Sequence, residues 1–302
     1  MNDDEAIRQL EQSGEYRVIR RLHAPAHYHE GAPEVARVGL VIDTETTGLD
    51  TTKDKIIELG FVAFEYDAGT GMIFRVLHTF DGFEDPGEPL SDVVKRITGI
   101  TDEMVSGKSL DEDEINGWLE RTDLIIAHNA GFDRPVVERR LPKAVDANWA
   151  CTLNGVDWDA EGISSRKLDY IAYQLGYFFD GHRAINDAQA TLHLLAQTLP
   201  ESGRAAMGLL LESAREPSRR YFAIGAAFEK KGALKERGYQ WLPGFDSGNG
   251  KKGVWSRAVA GTEAEAEEVW LTETIYGGRP GRFAFRVLTP KERYSTREFV
   301  PG

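Results

Sequence analysis

Cysteine is almost absent from this 302-residue chain, which contains a single one, Cys151. One thiol cannot build a disulfide framework or a thiolate zinc site, so the disulfide-rich secreted class and the structural zinc modules are excluded. The sequence also has no apolar run near the roughly 18 residues of a membrane helix. Its first ten residues, MNDDEAIRQL, are too acidic and polar for a signal peptide. These absences predict a cytoplasmic protein with no membrane segment.

Basic residues are also in deficit, with 36 Lys and Arg against 49 Asp and Glu, a formal net charge of −13. The deficit is uneven, because residues 216–302 contain 15 basic and 11 acidic residues, whereas residues 1–215 carry a net charge of −17. A basic segment attached to an acidic body suggests that the basic part holds a polyanion such as nucleic acid. The alternative is an ordinary solvated surface with a mild charge bias.

Length and composition predict about two domains, since 302 residues with 41% apolar side chains exceed the usual size of one. Pro and Ser interrupt the helical pattern between the two predicted domains, which indicates a boundary there. We therefore predict an N-terminal helix and connector over 1–34, a main domain over 35–200, a linker over 201–218 and a small domain over 219–302.

The main domain begins with three β-rich runs, VGLVID, IIELGFVAFEYD and GMIFRVLHTF, which are followed by alternating helical and strand patterns. The later elements are expected at about 90–97, 112–121, the strand LIIA at 124–127, 132–141, 165–175 and 186–199. This order predicts an α/β fold, a mixed sheet with helices on both faces.

The small domain reads as a helix over Lys230–Arg237 and two strands around Trp241 and Trp255, joined by a Gly-rich loop, Phe245–Gly253. Residues 217–257 contain nine basic and three acidic residues, with four Tyr and Trp interleaved among them. Aromatic rings beside cations are typical of platforms for single-stranded nucleic acid. The same rings are also common core residues, and both interpretations stay open.

Two carboxylates one residue apart, Asp43 and Glu45, follow the first β-rich run in VIDTETTGL. Residues i and i+2 of a strand point to the same face, so the two side chains lie together. Repulsion between them favours a divalent cation as partner, and hard oxygen ligands fit Mg²⁺ or Mn²⁺ better than Zn²⁺. The alternative is that both residues simply end a strand and begin a turn.

Two further segments carry chemistry-bearing residues at helix starts. Asp133 follows the LIIA strand, in the first turn of a helical pattern, where an Asp is also a normal helix-start residue. His182 precedes a third helix, and Asp187 lies five residues later on that helix. A loop His and a helix-start Asp are the plain interpretation of this pair. The order of the three segments favours a shared site.

Together, DTETTG, N-x-x-F-D over Asn129–Asp133 and H-x-x-x-x-D over His182–Asp187 resemble the three motifs of the DnaQ-like 3′–5′ exonuclease family. The histidine five residues before the last Asp is similar to the DEDDh branch, and Arg183 stands where the tyrosine branch would have its Tyr. The resemblance covers roughly residues 37–199. It implies a ribonuclease H-like fold, a mixed five-stranded sheet flanked by helices, followed here by a small α+β domain.

The resemblance also implies roles for residues of this chain. Asp43, Glu45, Asp133 and Asp187 would hold two divalent ions, Mg²⁺ or Mn²⁺, and His182 would be the general base. The residues implied at the substrate are Thr44, Thr47, Leu49, His128, Asn129 and Phe132.

The implied activity is the release of 5′-mononucleotides from a free 3′ end, on DNA in proofreading or repair and with a single strand as the expected partner. A polymerase subunit is a further candidate partner. Two alternatives stay open: an RNA-trimming exoribonuclease of the same family, and a catalytically retired scaffold that binds nucleic acid.

Overall fold

The chain divides into two compact units, Met1–Ser213 and Ala214–Gly302. The computed structural model describes residues 3–246, 252–279 and 282–299. The division falls near the end of the segment in which Pro and Ser predict a boundary, within a helix that begins at Ala206 and ends at Arg215.

The first unit is built on a five-stranded mixed sheet with the strand order β4-β3-β2-β5-β6. Its strands are β2 (Ala36–Thr46), β3 (Ile56–Asp67), β4 (Ile73–Phe83), β5 (Leu124–Ala127) and β6 (Trp149–Cys151); a separate parallel pair is formed by β1 (Arg20–Arg21) and β7 (Tyr177–Phe178). Strand β3 runs antiparallel to both neighbours, whereas β2, β5 and β6 are mutually parallel. Strand β3 is almost entirely buried, which is typical of a central strand covered on both faces.

Helices surround this sheet, and a side chain caps the first turn of some of them. They are α1 (Asp3–Gln12), α2 (Asp92–Thr98), α3 (Asp102–Val105), α4 (Glu112–Arg121), α5 (Ala130–Arg140), α6 (Thr152–Gly155), α7 (Leu168–Gln174), α8 (Ala184–Leu195) and α9 (Ala206–Arg215). Helix α2, for example, begins after Ser91, whose side chain accepts from the amide of Val94, and ends at Gly99 in the left-handed region. Among the described residues, no helix is both long and apolar enough to cross a membrane.

The predicted α/β architecture with a five-stranded sheet is confirmed. Helix α8 packs on β2 and β3 and buries a stripe of side chains that includes Ala188, Thr191, Leu192 and Leu195. The residue pattern contained no sign of the fifth strand, β6, because its three residues are too few to show a period.

The second unit is an antiparallel four-stranded sheet with the order β11-β8-β10-β9. Its elements are β8 (Ser218–Ala223), α10 (Lys231–Glu236), β9 (Gln240–Asp246), β10 (Lys252–Ala260), α11 (Ala264–Trp270), which continues into a π-helical turn (Leu271–Ile275), and β11 (Ala284–Leu288). The predicted helix and two strands are present, and the sheet also includes β8 and β11. Residues 247–251 of the predicted Gly-rich loop lie outside the described residues.

Several aromatic residues of the second unit belong to its core. Tyr221 and Tyr239 are buried, and Trp255 packs against the same cluster. Trp241 is different, because 47% of it is exposed, and its ring meets that of Trp255 edge-on, with the centroids 5.5 Å apart. The core interpretation therefore holds for Tyr221, Tyr239 and Trp255, whereas the platform interpretation stays a prediction for Trp241.

Candidate active site

Asp43 and Glu45 lie near the carboxyl end of β2, where the strand is paired with β3. Asp43 is opposite Gly60 and Glu45 is opposite Glu58, so the strand alternation holds as far as Glu45 and both carboxylates share one face. A register shift between Glu45 and Thr46 then interrupts the ladder. The two side chains are therefore fixed by regular sheet structure, immediately before the chain turns into a loop.

Asp187 comes from the first turns of α8 and completes a group of three carboxylates. One oxygen of each of Asp43, Glu45 and Asp187 lies within 4.8 Å of the others. No other group of three or more potential metal ligands of this kind occurs among the described residues. Sheet pairing and the packing of α8 thus bring together residues that lie 144 positions apart.

Asp133 lies beside this group but is not one of the three. It is 3% exposed, and its Oδ1 accepts hydrogen bonds from the backbone nitrogen of Thr44 at 3.1 Å and from Thr44 Oγ1 at 2.9 Å. Burial raises the pKa of Asp43, and the negative charge of Asp133 raises it further, so the two carboxylates are electrostatic neighbours. The hydroxyl of Thr44 therefore supports Asp133, and contact between Thr44 and substrate stays a prediction.

The four carboxyl groups hold their protons more tightly than usual. Burial, with a contribution from neighbouring carboxylates, raises the pKa of Glu45 to about 8, of Asp133 to about 7 and of Asp187 to about 6. The same causes raise the pKa of Asp43 well above its usual range. Clustered carboxyls of this kind are stabilised by a divalent cation, and an all-oxygen donor set suits Mg²⁺ or Mn²⁺. The residues therefore fit the predicted metal.

His182, the predicted base, is exposed and lies two residues before α8. Its backbone has a φ of 64°, a left-handed conformation that few residues other than glycine adopt. Burial raises the pKa of Asp187 to about 6, and the proximity of His182 opposes that rise. The structure thus places the histidine at the edge of the acidic group.

The other residues predicted at the substrate have different surroundings. Leu49 is 88% exposed and Asn129 is exposed, whereas Thr47 and Phe132 are half-buried. Thr47 closes the loop 47–55, since its amide donates to the carbonyl of Lys55 and its hydroxyl accepts from the amide of Lys55. Leu49 projects from that closed loop.

His128 is held by its neighbours on both ring nitrogens. Nε2 lies 2.8 Å from the carbonyl oxygen of Arg166, and Nδ1 lies 2.7 Å from Thr152 Oγ1. A carbonyl can only accept, so Nε2 carries the proton and Nδ1 accepts from the threonine hydroxyl. Burial lowers the pKa of His128 to about 4. The ring is therefore neutral and fixed in orientation.

Sequence reasoning missed Glu58 and Arg183. Glu58 is fully buried on β3, and Arg183 binds it from the residue that follows His182. A signal was present in the sequence, because Glu58 is the one acidic residue inside the apolar run IIELGFVAF and a buried acid needs a partner.

Comparison with known proteins agrees with this arrangement. Residues 40–195, just over half of the chain, match the sequence model of the family described as "Exonuclease" (RNase_T). The chain is 31% identical over 170 residues to the PolC-type DNA polymerase III of Caldanaerobacter subterraneus subsp. tengcongensis, and 35% identical over 168 residues to that of Thermotoga maritima. These matches cover 53% and 50% of this chain but 11% of each polymerase.

Similar solved structures include Exonuclease X in complex with 5′ overhanging duplex DNA, at 25% identity, which covers 56% of this chain and 99% of that one with a TM-score of 0.42. E. coli Exonuclease I in complex with a dA16 oligonucleotide, at 15% identity, covers 74% of this chain and 63% of that one with a TM-score of 0.45. The match to the family model covers all three motifs. The chain therefore belongs to this exonuclease family, which confirms the resemblance to DnaQ-like 3′–5′ exonucleases drawn from its motifs.

Proposed function

We propose that the protein is a metal-dependent 3′–5′ exonuclease that releases 5′-mononucleotides, with DNA as its substrate. The observation that carries this proposal is the convergence of Asp43, Glu45 and Asp187, with their oxygens within 4.8 Å and their pKa values raised. A phosphodiester is an anion with a poor leaving group, and an exonuclease has to offset both obstacles. A half-buried group of acidic side chains next to a histidine suits that task.

The acidic side chains of Asp43, Glu45, Asp133 and Asp187 would hold two divalent ions, Mg²⁺ or Mn²⁺. When bound, such ions favour the ionisation of water and offset the charge that develops on the leaving 3′ oxygen. The protein supplies the fixed oxygens: Thr44 orients Asp133, and the sheet fixes Asp43 and Glu45.

His182 would accept the proton of the attacking water. Its exposed position beside Asp187 leaves the ring accessible to a substrate. General-base catalysis requires a free ring nitrogen within hydrogen-bond reach of the water. His128, in contrast, has both nitrogens engaged, so it is suited to support and not to proton transfer.

The terminal nucleotide would lie over the loop that carries Thr47 and Leu49, with Asn129 and Phe132 on the other side. Leu49 supports this assignment, because an apolar side chain that is 88% exposed is well suited to stack against a base. The similarity to DNA polymerases favours DNA over RNA as the substrate. A polymerase partner and a cytoplasmic location are further parts of the proposal.

The test compares matched labelled oligonucleotides in Mg²⁺ and in EDTA. We expect 3′-labelled single-stranded DNA to lose its label first as a 5′-mononucleotide, and 5′-labelled DNA to shorten progressively, only with metal. Asp187→Asn should abolish the reaction. Asp180→Asn, which alters an exposed carboxylate seven residues earlier in the same segment, should not. Equal rates with and without EDTA would overturn the proposal, and faster degradation of RNA would reassign the substrate.

A further inference from the structure

Glu58 is a buried carboxylate that lies next to the acidic group but is not part of it. It is paired across the sheet with Glu45, and cross-strand partners project from the same face. Its exposed fraction is 0%, whereas Glu45 and Asp43 are only half-buried. A carboxylate in that position would be an obvious additional metal ligand if its oxygens were free. Its oxygens are engaged with the chain that links His182 to Asp187.

Three hydrogen bonds account for this engagement. Oε1 of Glu58 accepts from Arg183 Nε at 2.9 Å and from Arg183 Nη2 at 2.6 Å, and Oε2 accepts from the amide of Ala184 at 2.9 Å. Hydrogen bonds between ionised partners are stronger and more directional than neutral ones. The carboxylate thus holds both the side chain of one residue and the backbone of the next.

Arg183 is held from a second strand as well. Its Nη2 lies 4.0 Å from Asp81 Oδ2, and its guanidinium lies 5.4 Å from the ring centroid of Phe83, both on β4. Strands β3 and β4 therefore fix the direction of the guanidinium. Because the sheet holds the side chain of Arg183 in place, the sheet also restricts the position of the Arg183 backbone.

The segment that Arg183 anchors contains both groups whose orientation matters. The amide of Arg183 donates to Asp187 Oδ2 at 3.2 Å, and the preceding residue, His182, has the left-handed φ of 64°. Such a conformation is unfavourable for a non-glycine residue, so surrounding contacts must maintain it. The bonds to Glu58 lie directly after the strained residue and directly before α8.

Gly60, two residues after Glu58 on the same strand, adds an independent constraint. A Cβ at Gly60 would lie 2.4 Å from the backbone nitrogen of Ile185 and 2.5 Å from the carbonyl carbon of Ala184. The first turn of α8 therefore packs directly on the backbone of β3. Strand β3 determines the position of the start of α8 both by this contact and by the three hydrogen bonds of Glu58.

We propose that Glu58 and Arg183 are positioning residues that set the orientation of His182 and Asp187. The inference rests on the roles given to those two residues in the proposed function. Neither Glu58 nor Arg183 is assigned contact with the reacting atoms. Their removal should misplace groups that do react, and a displacement of about 1 Å at a reacting group can cost on the order of 100-fold in rate.

The experiment measures steady-state kinetics of Glu58→Gln and Arg183→Gln on single-stranded DNA in Mg²⁺. A positioning role predicts that kcat falls by roughly 10- to 100-fold while KM changes little, because ground-state binding of the nucleic acid is unaffected. The double variant should be no slower than the worse single variant, since the two residues act as a unit. Arg183→Ala should recover part of its rate in millimolar guanidinium chloride but not in equimolar sodium chloride.

The control removes a comparable ion pair at the far end of the same strand. Glu65 on β3 binds Arg75 on β4 at 3.1 Å, so Glu65→Gln and Arg75→Gln should keep the wild-type rate. If Glu58→Gln does not fold, Arg183→Lys and Arg183→Ala carry the test, because Arg183 is partly exposed. Any of three results would overturn the positioning role: a wild-type kcat in the Arg183 variants, losses that multiply in the double variant, or no response to guanidinium. A wild-type protein without metal-dependent activity would instead overturn the proposed function.

Discussion

The acidic group of the first unit and the buried carboxylate Glu267 of the second unit have opposite surroundings. In the second unit, Glu267 is 1% exposed and accepts hydrogen bonds from Tyr239 Oη at 2.8 Å, Arg257 Nη1 at 2.8 Å and Arg237 Nε at 3.2 Å. In the first unit, Asp43 and Glu45 face other carboxylates, and their pKa values are raised. A buried acid whose oxygens are satisfied by cations and hydroxyls stabilises a fold, whereas a group of acids facing each other destabilises it until a cation arrives.

The two units also differ in net charge. Residues 1–213 contain 20 basic and 38 acidic residues, a net charge of −18, and residues 214–302 contain 16 basic and 11 acidic residues, a net charge of +5. The negative net charge of the first unit disfavours the approach of a polyanion, whereas the positive net charge of the second unit favours it. A division of labour between chemistry and substrate attraction is the hypothesis that the following predictions address.

Asp43→Asn should have the largest effect. It should lower the activity and raise the thermal stability of the metal-free protein. Loss of several kcal/mol of transition-state stabilisation corresponds to a decrease in kcat of about 10³-fold or more. In EDTA at pH 8 the variant should melt higher than the wild type. The folded protein raises the pKa of Asp43, so at this pH the unfolded state favours the ionised carboxylate, and an uncharged amide removes that penalty. If the variant is less stable than the wild type in EDTA, the acidic group does not destabilise the metal-free protein.

His182→Ala should slow the reaction by about 10²- to 10⁴-fold, the usual range for loss of a general base. Because the imidazole is not assigned as a metal ligand, calorimetric titration with Mn²⁺ should give nearly the wild-type affinity. A variant that retains more than a tenth of the wild-type kcat would reassign the base.

Glu267→Gln should do the reverse of Asp43→Asn: destabilise the fold and spare the activity. The substitution leaves Arg237 and Arg257 without their anion, and the loss of charged hydrogen bonds should cost about 1 to 3 kcal/mol in the free energy of unfolding. Urea denaturation measures this cost. Glu265→Gln, an exposed position on the same helix, is the control. An unchanged unfolding midpoint for Glu267→Gln would show that the paired acid is not structural.

A chain that ends at Arg215, the last residue of α9, tests whether the basic unit attracts substrate. We expect kcat to persist and KM to rise. The slope of log KM against log salt should become shallower, by about 0.7 for each phosphate of a single strand that the second unit neutralises in the full chain. The same KM and the same salt slope would assign the second unit to another task.

His128→Gln should reveal the smallest effect, a change in pH dependence. The folded protein lowers the pKa of His128 to about 4, so its contribution is complete above the unfolded pKa, near 6.5, and is lost as the pH falls towards 4. The wild type should therefore lose stability relative to the variant by at most about 1.4 kcal/mol per pH unit in that window. Parallel stability curves for the two proteins would show that His128 titrates normally.

The sequence predicted the parts of the site that are encoded locally. Strand alternation placed Asp43 and Glu45 on one face, and helical spacing placed Asp133 and Asp187 in the first turns of α5 and α8. The order of the motifs then identified the family.

What the sequence could not predict depends on contacts between distant residues. Glu58 and Arg183 are 125 positions apart, and nothing in their local spacing links them. Strand β6 is recognisable only through its parallel pairing with β5. The four-stranded sheet of the second unit likewise includes β8, whose burial does not alternate along the strand, and β11, in which the exposed positions are occupied by the apolar residues Phe285 and Val287.

The register shift between Glu45 and Thr46 separates strand β2, which must stay fixed, from the following loop, whose sequence can change. Every residue of β2 up to Glu45 is held by the ladder, and the loop that begins at Thr47 closes on itself at Lys55. Insertions or replacements between those two residues lie beyond the shift and would not propagate into the strand. We therefore expect loop exchange at this point to alter the preference for the terminal nucleotide while the metal chemistry is inherited unchanged, which makes it a natural site for divergence and for engineering.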